Sequence, residues 1–111
     1  MKFTTFKSSL IIALGTTILP CLADGGKPHE VDQQERLFSV TEITIKPGEQ
    51  ISFNNKDSVT HNVFSKSSAN AFTIKVQQPG EASLIDFKEE GVTEVRCAIH
   101  PKMKLIVTVK K

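Results

Sequence analysis

The chain has 111 residues, with 14 Lys and Arg against 12 Asp and Glu, a length that suits one small domain. A formal charge of +2 excludes the dense basic surface of a nucleic-acid binder. With seven Phe, no Trp and no Tyr, any core must be built from aliphatic side chains and phenylalanine.

Residues 1–23, "MKFTTFKSSLIIALGTTILPCLA", have a positive start at Lys2 and Lys7, an apolar run from Leu10 to Leu19, and small residues at Cys21 and Ala23. This is the build of a secretory signal peptide cleaved after Ala23. The run is shorter than the roughly 20 residues of a membrane-spanning helix, so no stable membrane insertion is expected. A lipid anchor on Cys21 is the alternative, and Pro20 beside it argues against that. Loss of 23 residues from 111 leaves 88, in which 12 basic and 12 acidic side chains balance. It also leaves Cys97 as the lone cysteine. In an oxidising compartment a lone thiol is a liability unless it is buried, paired or metal-bound.

Residues 24–28, "DGGKP", read as a flexible lead-in to a domain over 29–111. Short apolar runs then alternate with turn signals about 8–12 residues apart, the all-β pattern. "LFSVTEITI" (37–45) meets the turn "KPGE", followed by "QISFNN" (50–55), "HNVFS" (61–65) and "AFTIKV" (71–76). A second turn, "QQPGE", leads to "ASLIDF" (82–87), and "KEEG" leads to "VTEVRC" (92–97); "LIVTVK" (105–110) closes the domain. In the two Pro-Gly turns Pro fixes φ and Gly takes a φ that other residues avoid. Side chains two apart share a strand face. That places Ile43, Ile45, Ile51, Phe53, Phe72, Ile74, Val76, Val107 and Val109 inside, with Val95 and Cys97 on the inner face of their strand. The expected fold is a Greek-key antiparallel β-sandwich of seven to eight strands.

Cys97, His100 and Met103 fall within seven residues of one another, at a strand end and the loop after it. A thiolate and an imidazole three residues on can converge on one ion across a turn that Pro101 stiffens. His61, which follows the polar loop "NNKDSVT", is the best candidate for a fourth ligand. Two imidazoles, a thiolate and a thioether form the donor set of a blue-copper electron-transfer centre. Such a set leaves no obvious position for substrate, which favours electron transfer over catalysis.

"CAIHPKM", an upstream "HNV" and the "KPGEQISFNN" turn-strand together resemble the cupredoxins, the type 1 blue copper proteins. The short loop with Pro after His is most similar to the amicyanin and plastocyanin-like periplasmic members. The resemblance covers roughly 29–111. It implies one copper ion held by His61, Cys97 and His100 with Met103 axial, and Asn62 hydrogen-bonding near the cysteine. It also implies that His100 has an exposed edge as the port for electrons, where redox partner proteins would dock on a monomer. Val95, Ala98 and Leu105 depart from residues common in the family. Lys102 and Lys104 put positive charge beside the port, either as solubilising groups or as a docking patch for an acidic partner.

Other readings fit less well. Structural zinc seldom uses Met, and a Cys–His nucleophile would need an oxyanion hole and a cleft. His29, Glu89 and Glu90 read as solvated, and Asp24-Gly25-Gly26 lacks the third-position His of an amino-terminal copper site. The expected function is a periplasmic, exported carrier of single electrons rather than an enzyme. The alternatives are a protein that delivers the copper ion itself and a domain of this fold acting without metal.

Overall fold

The computed structural model describes residues 26–111; the expected leader and its cleavage site lie outside the described residues. Nine strands follow in order: β1 (His29–Gln34), β2 (Leu37–Phe38), β3 (Glu42–Ile45), β4 (Glu49–Asn55), β5 (His61–Ser65), β6 (Phe72–Gln77), β7 (Ala82–Phe87), β8 (Gly91–Cys97) and β9 (Lys104–Val109). They form a four-stranded sheet, β2-β1-β4-β7, facing a five-stranded sheet, β3-β9-β8-β5-β6. The expected two-layer all-β sandwich is found, with two differences. The run from Leu37 to Ile45 divides between the sheets as β2 and β3, and β1 precedes it, which raises the strand number to nine. The sheets are also mixed, because β1 pairs with β4 and β3 pairs with β9 in parallel. Neither pair is joined by a hairpin, so nothing in the connection forces them antiparallel.

The two Pro-Gly turns share one construction. Gly48 and Gly80 have φ of 92° and 89°, the left-handed region that Gly enters without steric cost. In each turn the Glu after the Gly reaches back to the first amide, Glu49 Oε1 to Lys46 N (2.8 Å) and Glu81 Oε1 to Gln78 N (2.7 Å). Each turn is thereby closed by its own sequence.

Alternation predicts the core well. Val31, Ile51, Phe53 and Phe87 of the smaller sheet meet Val63, Val95, Cys97, Leu105, Val107 and Val109 of the larger one, all buried. Four phenylalanines form a chain through the interior: Phe38 on Phe53 (6.2 Å between centroids), Phe53 on Phe72 (5.7 Å) and Phe72 on Phe87 (6.0 Å). Each such burial stabilises the fold by about 1.5–3 kcal/mol.

Val76 is the exception, 59% exposed rather than inside. His61 pairs with Gln77, yet Val63 pairs with Ile74. Two steps along β5 therefore oppose three along β6, so β6 carries an extra residue, a β-bulge. The bulge reverses the phase, turning Val76 outward and Gln77 inward. Gln77 then bridges the sandwich: its Oε1 accepts from Gln33 Nε2 (2.6 Å), and its Nε2 donates to Phe53 O (2.9 Å) and Ser83 Oγ (3.1 Å). One side chain of the five-stranded sheet thus binds β1, β4 and β7 of the other.

Replacing Gln77 by Leu strands the buried Gln33 amide, and urea denaturation of the metal-free protein should show a loss of about 1–3 kcal/mol. Val76→Ser at the neighbouring exposed position should stay within about 0.5 kcal/mol.

Candidate metal centre

β5 and β8 are antiparallel neighbours, with Val63 opposite Cys97. This register brings the first residue of β5, His61, beside the last residue of β8. Cys97 Sγ lies 3.8 Å from Nδ1 of His61 and 3.8 Å from Nδ1 of His100, and the two Nδ1 atoms are 3.2 Å apart. His61 and Cys97 are buried, while His100 is half-buried. The loop from Cys97 to Met103 is closed by the Met103 amide donating to His100 O (3.0 Å) and by Arg96 Nη2 donating to Pro101 O (3.0 Å). Met103 is fully buried and belongs to the same hydrophobic cluster as Cys97. Three of the four sequence-derived candidates therefore converge, and the fourth lies in the core that adjoins them.

Asn62 joins the two strands at this point. Its amide donates to Cys97 Sγ (3.4 Å), and its carbonyl accepts from the Ala98 amide (3.3 Å). Its Nδ2 donates to Lys75 O (2.6 Å), a carbonyl at the bulge. The hydrogen bonding near the cysteine that the resemblance implied is present.

Asp57 is a site residue that the sequence reading missed. Its Oδ2 lies 2.8 Å from His61 Nε2 and accepts from the Arg36 amide (2.9 Å), while Oδ1 accepts from the Glu35 amide (2.9 Å). Burial works against its charge, but the Arg36 amide, the His61 ring and the Glu35 amide outweigh burial and hold the carboxyl below its usual range. Its only sequence signal was a place in a polar loop four residues before His61. Glu35 and Arg36 form the β1–β2 hairpin tip with φ of 54° and 59°. Each left-handed non-Gly residue costs about 1–2 kcal/mol, so the carboxylate offsets a strained turn.

Burial, with the nearby His61 and Arg36, depresses the pKa of His100 below the ordinary histidine value. Its ring is accordingly a neutral base near pH 7, the form that binds metal. Arg36, Leu37, Ile99, Pro101 and Lys102 line a groove beside it, and Leu37 and Ile99 are 52% and 54% exposed. Lys104 lies 3.5 Å from Glu94, which also binds Arg96 at 3.1 Å. Among the described residues Lys102 has no carboxylate partner.

These dimensions fit a metal ion. Bond lengths of about 2.0–2.1 Å to imidazole and about 2.3 Å to thiolate place donor atoms roughly 3–4 Å apart around one centre, and the three measured separations fall in that range. Thiolate and thioether favour Cu(I), and imidazole accepts copper readily; the arrangement is compatible with a single type 1 copper ion.

Comparison with known proteins agrees. No curated protein sequence matches the chain, but a family model for copper binding proteins of the plastocyanin/azurin family matches residues 27–110. Among solved structures, amicyanin from Paracoccus versutus is 29% identical, with a TM-score of 0.68 over 75% of this chain and 81% of that one. A purple cupredoxin from Nitrosopumilus maritimus is 24% identical (TM-score 0.67), over 74% of this chain and 99% of its own. A copper-containing nitrite reductase from Thermus scotoductus is 24% identical (TM-score 0.71) over 77% of this chain, which spans only 23% of the reductase. The last two likenesses concern the fold alone. A match to the family model over nearly the whole described domain, on a sandwich that gathers the copper-binding donor types, places this chain in the plastocyanin/azurin family of copper binding proteins.

Proposed function

We propose that the protein is an exported, mononuclear type 1 copper protein that carries single electrons between redox partners, and not an enzyme. His61, Cys97 and His100 would hold the ion, and Met103 would add a weak thioether donor from the adjoining core. The observation that carries this reading is the convergence of two imidazole nitrogens and one sulfur at the end of a packed core, with only His100 reaching the surface. Copper, when bound, supplies a Cu(II)/Cu(I) couple. The chain's own part is to hold the donors still. Cys97 is fixed by strand pairing and the Asn62 amide, His61 by Asp57, and His100 by its closed loop. A site that cannot relax toward the preference of either oxidation state has little to reorganise when an electron moves. Burial of two ligands and a single half-exposed ring also favours an electron carrier over a protein that delivers the ion.

Export fits the leader over residues 1–23, cleavage after Ala23 and the lone Cys97, and the compartment we assign is the periplasm. The partner is an acidic redox protein docking near His100. Leu37, Ile99 and Pro101 offer it apolar contact, and Arg36 and Lys102 offer charge. Glu94 already engages Lys104, so Lys102 is the more effective of the two loop lysines.

Loading the purified protein with Cu(II) should give an intense thiolate-to-copper charge-transfer band, and Cys97→Ser should abolish it. An absent band in the wild type sinks the proposal, and ready loss of copper to a chelator during redox cycling would favour ion delivery. Met103→Leu should keep the copper but shift the reduction potential in cyclic voltammetry; an unchanged potential and spectrum removes Met103 from the donor set.

Lys102→Glu should slow electron transfer to an acidic partner by roughly tenfold at low ionic strength, and by less near 0.15 M salt. Lys104→Glu should have the smaller effect. Stopped-flow rates that do not respond to charge or salt would dismiss the docking surface.

A further inference from the structure

We infer that Asp57 is a positioning residue with two functions: it fixes the tautomer of the buried His61 ring and it holds the hairpin tip that walls the groove beside His100. An ionised carboxylate can only accept, and a neutral imidazole carries one N–H. With Asp57 Oδ2 at 2.8 Å from Nε2, the His61 proton resides on Nε2. Nδ1 is left with a free lone pair, and it is Nδ1 that faces Cys97 Sγ and His100 Nδ1. The tautomer needed for metal binding is therefore set before any ion arrives, the role that outer partners of metal-bound histidines commonly play.

Asp57 can do this because its own position is fixed. Its side chain is only 11% exposed. Its amide donates to Asn55 Oδ1 (2.9 Å), and Asn55 Nδ2 donates to Val59 O and Gln77 O (both 2.9 Å). The β4–β5 loop is thus tied at both ends around the carboxylate. On its other side the carboxylate receives two successive amides, Glu35 and Arg36, whose left-handed φ values aim both N–H groups at one anion. Arg36 and Leu37 then project into the groove that holds the edge of His100. One anion thereby links the innermost ligand to the surface where a partner would sit.

The inference rests on His61 as a ligand, but its first test needs no copper. In the metal-free protein, ¹⁵N-detected NMR should show His61 protonated on Nε2, and the Glu35 and Arg36 amides should be protected from exchange. Asp57→Asn should populate the Nδ1–H form and speed exchange at both amides. It should also lower Cu(II) affinity about 10–100-fold and raise the reduction potential, because the lost negative charge favoured Cu(II). The double variant Glu35→Gly with Arg36→Gly keeps both amides and relieves the strain, so tautomer and affinity should be retained. A wild-type ring protonated on Nδ1 overturns the inference at once. So does a folded Asp57→Asn protein with unchanged tautomer and affinity. If Asp57→Asn does not fold, the wild-type tautomer and the protection of the two amides decide the matter. Failure of the charge-transfer band would refute the copper reading and leave these metal-free measurements standing.

Discussion

Holding a sulfur and a buried imidazole nitrogen 3.8 Å apart requires that residues 36 positions apart in sequence keep one fixed relation. The joint between β5 and β8 supplies it. Val63 faces Cys97 in the ladder, and Asn62 adds contacts to Cys97 Sγ and the Ala98 amide. A slip of one residue would turn Cys97 away from the core. The buried Val95, on the same face of β8, resists that slip, because it would be forced outward with Cys97. Core packing and site geometry are therefore one constraint, and the hydrophobic interior sets the metal centre as much as the donors do.

The sandwich is not uniformly apolar. Gln33, Asn55, His61 and Gln77 are all buried, and pairing places them at one end: Gln33 opposite Asn55, and His61 opposite Gln77. Buried amides cost free energy unless paired, and these are joined through Gln33 to Gln77 and through Asn55 to Val59 O and Gln77 O, with Gln33 Oε1 left as a buried side-chain atom without a partner among the described residues. Such a network specifies orientation in a way that aliphatic packing cannot, because hydrogen bonds are directional. The phenylalanine chain supplies burial, while the amides and Asp57 supply alignment near the ligands. The β6 bulge connects the two, since only its phase change directs Gln77 inward.

Periodicity made the inner faces legible: Ile45, Ile51, Phe53, Val95, Cys97, Val107 and Val109 are buried as alternation requires. The Pro-Gly turns were equally plain, because Pro and Gly restrict φ locally. The bulge was not, since "AFTIKV" alternates cleanly and the irregularity exists only against the register of β5. Parallel pairing of β1 with β4 was hidden for a similar reason: a strand's own sequence does not say which strand it will meet. The candidate triplet Cys97, His100 and Met103 stood out in the sequence because its donors are close together; the structure gathers Cys97 and His100 with His61 and places Met103 in the adjoining core. Asp57 was invisible because its meaning depends on the Glu35 and Arg36 amides, which carry no side-chain signature at all.

The charges at the site have a consistent physical logic. The Cys97 sulfur and the Asp57 carboxylate lie on the inner side, one within the donor set and the other behind His61. Arg36 and Lys102 lie on the outer side around the half-exposed His100. In the proposed copper site two anions would favour Cu(II), whereas surface cations would favour Cu(I) and draw in the acidic partner proposed above. The inner groups are shielded from solvent and act at short range in low dielectric, so they dominate the ion's own equilibrium. The outer groups are screened within about 8–10 Å by salt, so their influence falls on encounter rather than on the ion. On the proposed function, affinity for the electron and affinity for the partner would thus rest on different residues, with the His100 ring as the element common to both.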